Sequence, residues 1–135
     1  MPAPTSTRPI RVVAAVISRA GKYLITQRRP TAVLPLLWEF PGGRVEANES
    51  DADALVREVS HRLGVDITVG NLISYVSHPY DRYTVELYLY ECSILRGEPI
   101  EQNVFAFRWV TSEEFDRYPF TPADEASVSK LLGVE

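Results

Sequence analysis

Apolar residues recur at helical spacing in one stretch of the chain, between residues 50 and 64. The positions three and four residues apart form one stripe, made of Ala52, Leu55, Val56, Val59 and Leu63. Ser50 precedes this stripe as a typical N-cap, and Asp53 stands where a capping-box acid belongs. Gly64 follows the last apolar position and suits the end of a helix. The pattern therefore predicts a capped, amphipathic helix.

Apolar runs and apolar–polar alternation predict strands along much of the remaining chain. The predicted strands are residues 10–18, 23–29, 65–69, 72–77, 83–95 and 105–110. A turn at Gly21 joins the first two strands into a hairpin, and the proline- and glycine-rich residues 30–43 predict a loop. Helices are expected to begin in residues 111–118 and 122–132. Strands interspersed with helices in this order predict an α/β sandwich.

Composition places the chain among ordinary globular domains. Its 135 residues suit one domain over residues 10–135, after a loose tail at residues 1–9 that is rich in proline. Hydrophobic residues make up 45% and charged residues 24%. A formal net charge of −4 argues against long nucleic acid bound through a broad basic face. It leaves open a small anionic ligand in a locally basic pocket.

Cysteine content and hydropathy exclude further classes. Cys92 is the only cysteine, so an internal disulfide is excluded, and its strand context favours a small buried hydrophobic residue over a nucleophile. No apolar run approaches membrane length and no signal peptide is recognisable, so we expect no membrane partner and a cytoplasmic location. The oligomeric state stays open.

One long motif spans the predicted helix and the loop before it. The stretch GGRVEANESDADALVREVSHRLGV, residues 42–65, resembles the Nudix box, G-x5-E-x7-R-E-U-x-E-E-x-G-U, in which U is aliphatic. The matching positions are Gly43, Glu49, Arg57, Glu58, Val59, Gly64 and Val65. Flanking segments similar to the MutT-type branch extend the resemblance over residues 10–132. The resemblance implies a Nudix-type α/β/α sandwich with a mixed central sheet, in which the box forms a loop, a helix and a second loop.

The same resemblance implies roles for the matched residues. Nudix enzymes cleave a nucleoside diphosphate linked to another group, and the MutT-type branch converts a nucleoside triphosphate into a monophosphate and pyrophosphate. By resemblance, Glu58 would bind Mg²⁺ or Mn²⁺, while Glu49 and Arg57 would hold the loop in place. The implied ligand is a small nucleotide or a nucleoside diphosphate derivative.

Two departures from the family pattern alter this expectation. His61 and Arg62 stand where the family has two glutamates, and Asn103 stands where a further metal-binding glutamate is common, with Glu101 nearby. Glu58 shares one helical face with the basic pair, because the three residues are spaced by three and four positions. A pair of unit charges about 4 Å apart is worth roughly 4 kcal/mol at an effective dielectric constant near 20. We therefore expect weak divalent-ion binding, and weak or absent hydrolysis.

Three interpretations of the basic pair stay open. His61 could ligate a softer ion such as Mn²⁺ or Zn²⁺. Alternatively, Arg62 and His61 could bind phosphate oxygens directly and replace the metal ion, so that no cofactor is needed. Both residues could also form an ordinary solvated helix face at a decayed site.

Residues outside the helix predict where a nucleotide would bind. The resemblance places Phe40 against the base, and Gly42 and Gly43 allow the backbone to approach a ligand closely. Arg28 matches a position that contacts phosphate or sugar, with a surface arginine as the alternative. Asp124 matches a base-reading position, with a helix cap as the alternative. An ionised aspartate only accepts hydrogen bonds, which favours a base with an amino donor, such as cytosine.

These observations predict a MutT-like nucleotide-binding protein of triphosphate pyrophosphohydrolase ancestry. Trp38 and Tyr80 are further aromatic candidates for contact with the base. One alternative is a non-catalytic sensor of a nucleotide or sugar nucleotide that binds through His61, Arg62 and Arg28. Another is an interaction module with a relict pocket.

Overall fold

The computed structural model describes residues 8–132. The strands are β1 Arg8–Arg19, β2 Lys22–Gln27, β3 Trp38–Glu39, β4 Gly42–Arg44, β5 Asp66–Pro79, β6 Tyr83–Arg96 and β7 Ala106–Val110. The helices are α1 Asp51–Leu63, α2 Pro122–Leu132 and a 3-10 helix at Ser112–Arg117. β1 begins before the predicted residue 10, so Arg8 and Pro9 belong to the sheet and not to a tail. The remainder of the predicted tail, residues 1–7, lies outside the described residues.

The first strand forms the centre of the sheet. β1 pairs in parallel with β6 along residues 8–17, and it pairs antiparallel with β2 at the predicted hairpin. The strand order is β3-β2-β1-β6-β5, while β4 also pairs with β1 and β7 also pairs with β2. The sheet is therefore mixed, as the sequence analysis predicted.

Hydrophobic layers cover both faces of the sheet. Val13 and Ala15 of β1 pack in a layer with Leu55 of α1. Ala14 packs on the opposite face, in a layer with Phe120 and with Val128 of α2. This two-sided burial explains why β1 is an unbroken apolar run and does not alternate with polar residues.

The predicted helix forms, but its buried face is rotated. The Ser50 hydroxyl oxygen accepts a hydrogen bond from the backbone N–H of Asp53 at 3.1 Å, and Gly64 ends α1 with a left-handed φ of 70°. The buried residues are Ala54, Leu55, Val59 and Leu63. The inclusion of Ala52 and Val56 in the stripe was wrong, because Ala52 is exposed and Val56 is 39% exposed. Small apolar residues occur on two sides of this helix, so periodicity alone does not select the side that meets the sheet.

Two other elements differ from the sequence prediction. The segments expected as separate strands form one strand, β5, whose register against β6 shifts between Val69 and Leu72 and between Leu72 and Ser74. These irregularities absorb the apparent break in the pattern. The expected helix after β7 is a 3-10 helix, preceded by a hydrogen bond from the Thr111 N–H to the Glu114 carboxylate at 2.8 Å. Within residues 8–132, no helix has the length and apolar character needed to cross a bilayer.

Candidate functional site

Two glycines allow β4 to lie against its neighbours. A Cβ atom on Gly42 would stand 1.9 Å from the carbonyl oxygen of Val13 in β1. A Cβ atom on Gly43 would stand 2.4 Å from the carboxyl carbon of Glu58 in α1. The close approach of strand, strand and helix therefore requires the glycine pair. This close packing of β4 against α1 brings the Glu58 side chain beside the loop that precedes α1.

Arg57 joins that loop to the helix. Its Nε and Nη2 atoms donate to the two carboxylate oxygens of Glu49 at 2.7 and 2.9 Å, and Nη2 also donates to the backbone oxygen of Arg44 at 3.0 Å. The Glu49 carboxylate further accepts the Glu46 N–H at 3.0 Å. Hydrogen bonding from Arg57 lowers the pKa of Glu49 to about 2. The structure therefore places Glu49 and Arg57 in contact, in the arrangement that a loop-supporting role requires.

The carboxylate of Glu58 is engaged on both oxygens. Arg57 Nη1 donates to Oε2 at 2.7 Å, and Arg62 Nε donates to Oε1 at 3.1 Å. The Glu58 side chain is 14% exposed, and the Arg62 side chain is 29% exposed. His61 is exposed on the helix. The structure brings Arg62 but not His61 to Glu58, because adjacent residues on a helix point about 100° apart.

The loop after β6 caps the C-terminal end of α1. Asn103 Nδ2 and Gln102 Nε2 donate to the backbone oxygen of His61 at 3.1 and 2.8 Å, and the Asn103 N–H donates to the Arg62 oxygen at 2.9 Å. Arg29 Nη2 in turn donates to Asn103 Oδ1 at 3.3 Å. Carbonyl groups at a helix end need such partners. Asn103 stands where the family pattern has a metal-binding glutamate, and its side chain binds the backbone of α1.

The residues present do not fit a divalent cation. Glu58 is the one carboxylate of the expected set, and guanidinium groups already hold its oxygens. Glu101, the suggested substitute ligand, is exposed. Residues 8–132 contain no cluster of three or more His, Cys, Asp or Glu side chains placed to hold a metal ion. Mg²⁺ prefers octahedral coordination by oxygen ligands, chiefly carboxylates, phosphates and water.

A cavity of about 550 Å³ lies between β4, β6 and the start of α2. Its volume is within the usual range for small-molecule sites. The apolar lining residues include Ile10, Val12, Val33, Phe40, Val85 and Leu87. The polar lining residues include Arg28, Glu39, Gly42, Gly43, Arg44, Arg62 and Asp124. Most of the predicted ligand-binding residues therefore meet in one place. His61 and Trp38 do not line this cavity, and neither does Glu58.

Asp124 is a buried acid in the wall of this cavity. Its Oδ1 accepts the Phe40 N–H at 3.0 Å, and its Oδ2 accepts the Thr121 hydroxyl at 2.7 Å. Burial raises the pKa of Asp124 to about 7. Asp124 lies in the first turn of α2, and its carboxyl group accepts the N–H of Phe40, between β3 and β4, and not an N–H of its own helix. The helix-cap alternative was therefore wrong. The Thr121 hydroxyl, by contrast, accepts the Asp124 N–H at 3.4 Å.

Glu39 is a cavity residue that the sequence analysis missed. Arg28 Nη1 donates to both of its carboxylate oxygens at 3.3 Å, and burial raises the pKa of Glu39. In the sequence, Glu39 is the one acid within the apolar stretch LLWEF, and this position could have indicated a buried carboxyl group. Arg28 also donates from Nε to the Val33 carbonyl at 2.7 Å, so its donors hold Glu39 and the loop.

The expected aromatic residues have different surroundings. Trp38 is 7% exposed and packs edge-on against Tyr118, with ring centroids 4.9 Å apart, so it belongs to the core. Phe40 is 2% exposed, in the core layer next to the cavity. The Tyr80 hydroxyl oxygen accepts the Ala123 N–H at 3.2 Å, and Tyr80 lines a smaller cavity that shares Asp124 with the first one.

A separate cavity of about 440 Å³ contains the cysteine. Cys92 lines it together with Val69, Ile73 and Leu131, and this lining shares no residue with the cavity that contains Asp124. Burial raises the pKa of the Cys92 thiol to about 11. The thiolate is the nucleophilic form, so Cys92 behaves as the small buried residue that the sequence analysis favoured.

Comparisons with known proteins agree with this architecture. A family model described as NUDIX domain matches residues 12–130, and the chain therefore belongs to the Nudix hydrolase family. The CTP pyrophosphohydrolase of Escherichia coli strain K12 is 37% identical over 115 residues, covering 85% of each chain. The putative 8-oxo-dGTP diphosphatase 2 of Mycobacterium tuberculosis strain H37Rv is 34% identical over 123 residues, covering 89% of this chain and 86% of that protein.

A solved structure gives the same result. The solution structure of the E. coli ORF135 protein superposes with a TM-score of 0.81 at 32% identity, covering 98% of this chain and 95% of that chain. The predicted MutT-like class and Nudix-type sandwich are confirmed. Nudix hydrolases act on small nucleotide derivatives and generally use divalent metal ions. In this chain both carboxylate oxygens of Glu58 accept hydrogen bonds from guanidinium groups.

Proposed function

We propose that this Nudix protein binds nucleoside triphosphates and hydrolyses them to a monophosphate and pyrophosphate slowly or not at all. One observation carries the proposal. Glu58, the residue matched to a metal ligand, has both carboxylate oxygens bonded to guanidinium groups, and one of these groups belongs to Arg62, which lines the cavity. Two basic residues at the position of a Glu-Glu pair also disfavour a divalent cation electrostatically.

The cavity wall supports a base with an exocyclic amino group, and cytosine above all. Burial raises the pKa of Asp124, and once the pH is above that pKa the carboxylate accepts hydrogen bonds without donating any. Its neighbours Phe40 N–H and Thr121 hydroxyl each use one lone pair of a different oxygen. The remaining lone pairs suit an amino donor such as cytosine N4. The likeness to a protein named CTP pyrophosphohydrolase adds support.

The arrangement of the cavity supports a direction for the bound nucleotide. Aliphatic residues, including Val12, Val33 and Leu87, provide apolar walls suited to a planar base, and Asp124 lines the same cavity. Arg62 lines the same cavity and is the lining residue nearest in sequence to the Nudix-box acids. We therefore place the base beside Asp124 and the phosphates beside Arg62.

A non-catalytic nucleotide sensor is the second candidate. Arg62 favours it, because a guanidinium group can bind phosphate oxygens without providing a nucleophile. An interaction module with a relict pocket is the third candidate, and it predicts that no nucleotide stabilises the protein.

The three candidates differ in two measurements. Thermal unfolding of the full chain should be shifted upward by CTP and dCTP more than by GTP, with 8-oxo-dGTP as a further arm. Pyrophosphate release from CTP should be roughly a hundredfold or more below that of the E. coli CTP pyrophosphohydrolase assayed in parallel, because the metal-neutralising carboxylates are missing. Equal turnover would refute the proposed attenuation. The absence of any nucleotide-induced shift would refute nucleotide binding.

A matched pair of variants tests the base reader. Asp124→Asn introduces an amide donor into the cavity, so the preference for CTP over UTP should shrink. Asp66→Asn is the same chemical change at a half-exposed carboxylate in a surface ion pair, and it should leave the preference unchanged. An unchanged preference in Asp124→Asn would place the base elsewhere.

A further inference from the structure

We infer that Arg62 and Arg44 form a built-in cationic site that binds the phosphate chain of a nucleotide directly, so that the metal-free nucleotide is the ligand. The inference rests on the proposed nucleotide binding and specifies the form in which the nucleotide is taken up. It predicts that Mg²⁺ weakens binding.

The hydrogen bonds of Arg62 leave one edge of its guanidinium group available. Its Nε atom donates to Glu58 at 3.1 Å, which fixes the orientation of the planar group. Within the described part of the chain, its two terminal amino groups donate to no acceptor. Arg57 provides the contrast, since all three of its nitrogen atoms donate to Glu49, Glu58 or a backbone oxygen. Arg62 is therefore oriented with unused donors, and Arg57 is not.

Arg44 places a second guanidinium group at the same cavity. It is an exposed residue of β4, and its backbone oxygen is held by Arg57 Nη2 at 3.0 Å. Arg44 lines the cavity with Arg62. Among residues 8–132, no carboxylate forms an ion pair with Arg44. Two guanidinium groups with free donors match the geometry and the charge of phosphate oxygens.

The acids near these arginines do not provide a competing cation site. Glu58 is absent from the cavity lining and is held by two arginines. Glu39 lines the cavity but is paired with Arg28 at 3.3 Å. Glu46, 3.9 Å from Arg57, is 68% exposed to solvent. Asp124, the other carboxyl group in the lining, accepts hydrogen bonds from the Phe40 N–H and the Thr121 hydroxyl and lies beside the proposed base, away from the proposed phosphates.

The sign of the Mg²⁺ effect follows from this arrangement. When oxygen atoms of a triphosphate coordinate Mg²⁺, the ion neutralises part of their negative charge. These oxygen atoms then accept fewer and weaker hydrogen bonds from other groups. A site made of carboxylates needs the ion, whereas a site made of guanidinium groups competes with it. Raising Mg²⁺ above the nucleotide concentration should therefore weaken binding to this protein.

Calorimetric titration of the full chain tests the inference. The ligands are cytidine, inorganic pyrophosphate and a CTP analogue with a methylene group between the α and β phosphates, each in EDTA and in excess Mg²⁺. We expect pyrophosphate and the analogue to bind in EDTA, and their affinity to fall at least severalfold in Mg²⁺. Cytidine should bind equally in both. Analogue binding that requires Mg²⁺ would overturn the inference and leave nucleotide binding intact, whereas no binding in either condition would refute the proposed function itself.

Variants identify the donor. Arg62→Gln should lower the affinity for pyrophosphate in EDTA by about tenfold to a hundredfold, the range of hydrogen bonds to charged groups. Arg62→Lys keeps the charge without the planar fork and should lose less. Arg96→Gln removes the same charge from a side chain that is 74% exposed in a surface ion pair, and it should bind normally. Equal losses in Arg62→Gln and Arg96→Gln, or none in Arg62→Gln and Arg62→Lys, would contradict the assignment.

Discussion

Replacing Asp124 with asparagine should change how the stability of the protein depends on pH. The carboxyl group is buried, and burial raises its pKa from 3.8 to about 7. An acid with a raised pKa keeps its proton in the folded chain at pH values where the unfolded chain has lost it. The folded state is therefore favoured fully below pH 4, and this contribution is lost as the pH rises to about 7.

The magnitude follows from the two pKa values. A difference of one between two pKa values corresponds to about 1.4 kcal/mol, so the titration of Asp124 lowers the free energy of unfolding by about 4 kcal/mol between pH 3 and pH 8. Asparagine does not ionise, and its oxygen can still accept the Phe40 N–H. The variant loses the acceptor for the Thr121 hydroxyl, at a cost of about 1 kcal/mol that does not depend on pH.

Urea denaturation at several pH values measures this effect. Asp124→Asn should be about 1 kcal/mol less stable than the natural chain near pH 4 and about 3 kcal/mol more stable near pH 7.5, so the two curves cross. Glu39 has a raised pKa for the same reason, so a weaker slope should persist in the variant. Asp66→Asn, at a half-exposed site, serves as the control. Parallel curves for the natural chain and Asp124→Asn would refute the buried, protonated carboxyl group.

Three further predictions concern the loop and the helix. His61→Glu combined with Arg62→Glu should raise Mn²⁺ affinity roughly a hundredfold or more, because one positive charge is reversed and a second carboxylate is added beside Glu58. Unchanged affinity in a metal titration would contradict this. Gly42→Ala should destabilise the fold by about 3 kcal/mol or more in chemical denaturation, because the added Cβ would stand 1.9 Å from the Val13 oxygen. A stability within about 0.5 kcal/mol of the natural chain would argue against this contact. Asn103→Glu should lower the free energy of unfolding by about 1–3 kcal/mol, because a carboxylate cannot donate a hydrogen bond to the His61 oxygen. The control Asn103→Gln keeps an amide donor and should lose less stability.

Much of the fold could be predicted because its signals are local. Ser50 and Gly64 mark the two ends of α1 through capping geometry, which depends on a few neighbouring residues. The Nudix-box spacing also placed Glu49 against Arg57, since loop and helix are adjacent in the chain. The continuity of β5 was missed because partnership with β6 overrides the local break at residues 70–71.

The candidate site was harder to predict because it depends on the direction of side chains. The spacing predicted that His61 and Arg62 share one helical face with Glu58. Adjacent residues on a helix point about 100° apart, however, so His61 is exposed while Arg62 lines the cavity. Glu39 was missed because its role depends on Arg28 and on a cavity wall formed by distant segments. Periodicity contains no information about which carboxylate a guanidinium group will reach first.

The bonds from Asn103 to the end of α1 tie the identity of residue 103 to the stability of that helix end. A glutamate at this position would restore one expected ligand but would leave the His61 carbonyl without its side-chain donor. Acids at positions 61 and 62 would leave the loop bound to the helix backbone through Gln102. An acid at position 103 is therefore gained only with the loss of a bond that caps the helix, whereas acids at positions 61 and 62 leave the cap intact.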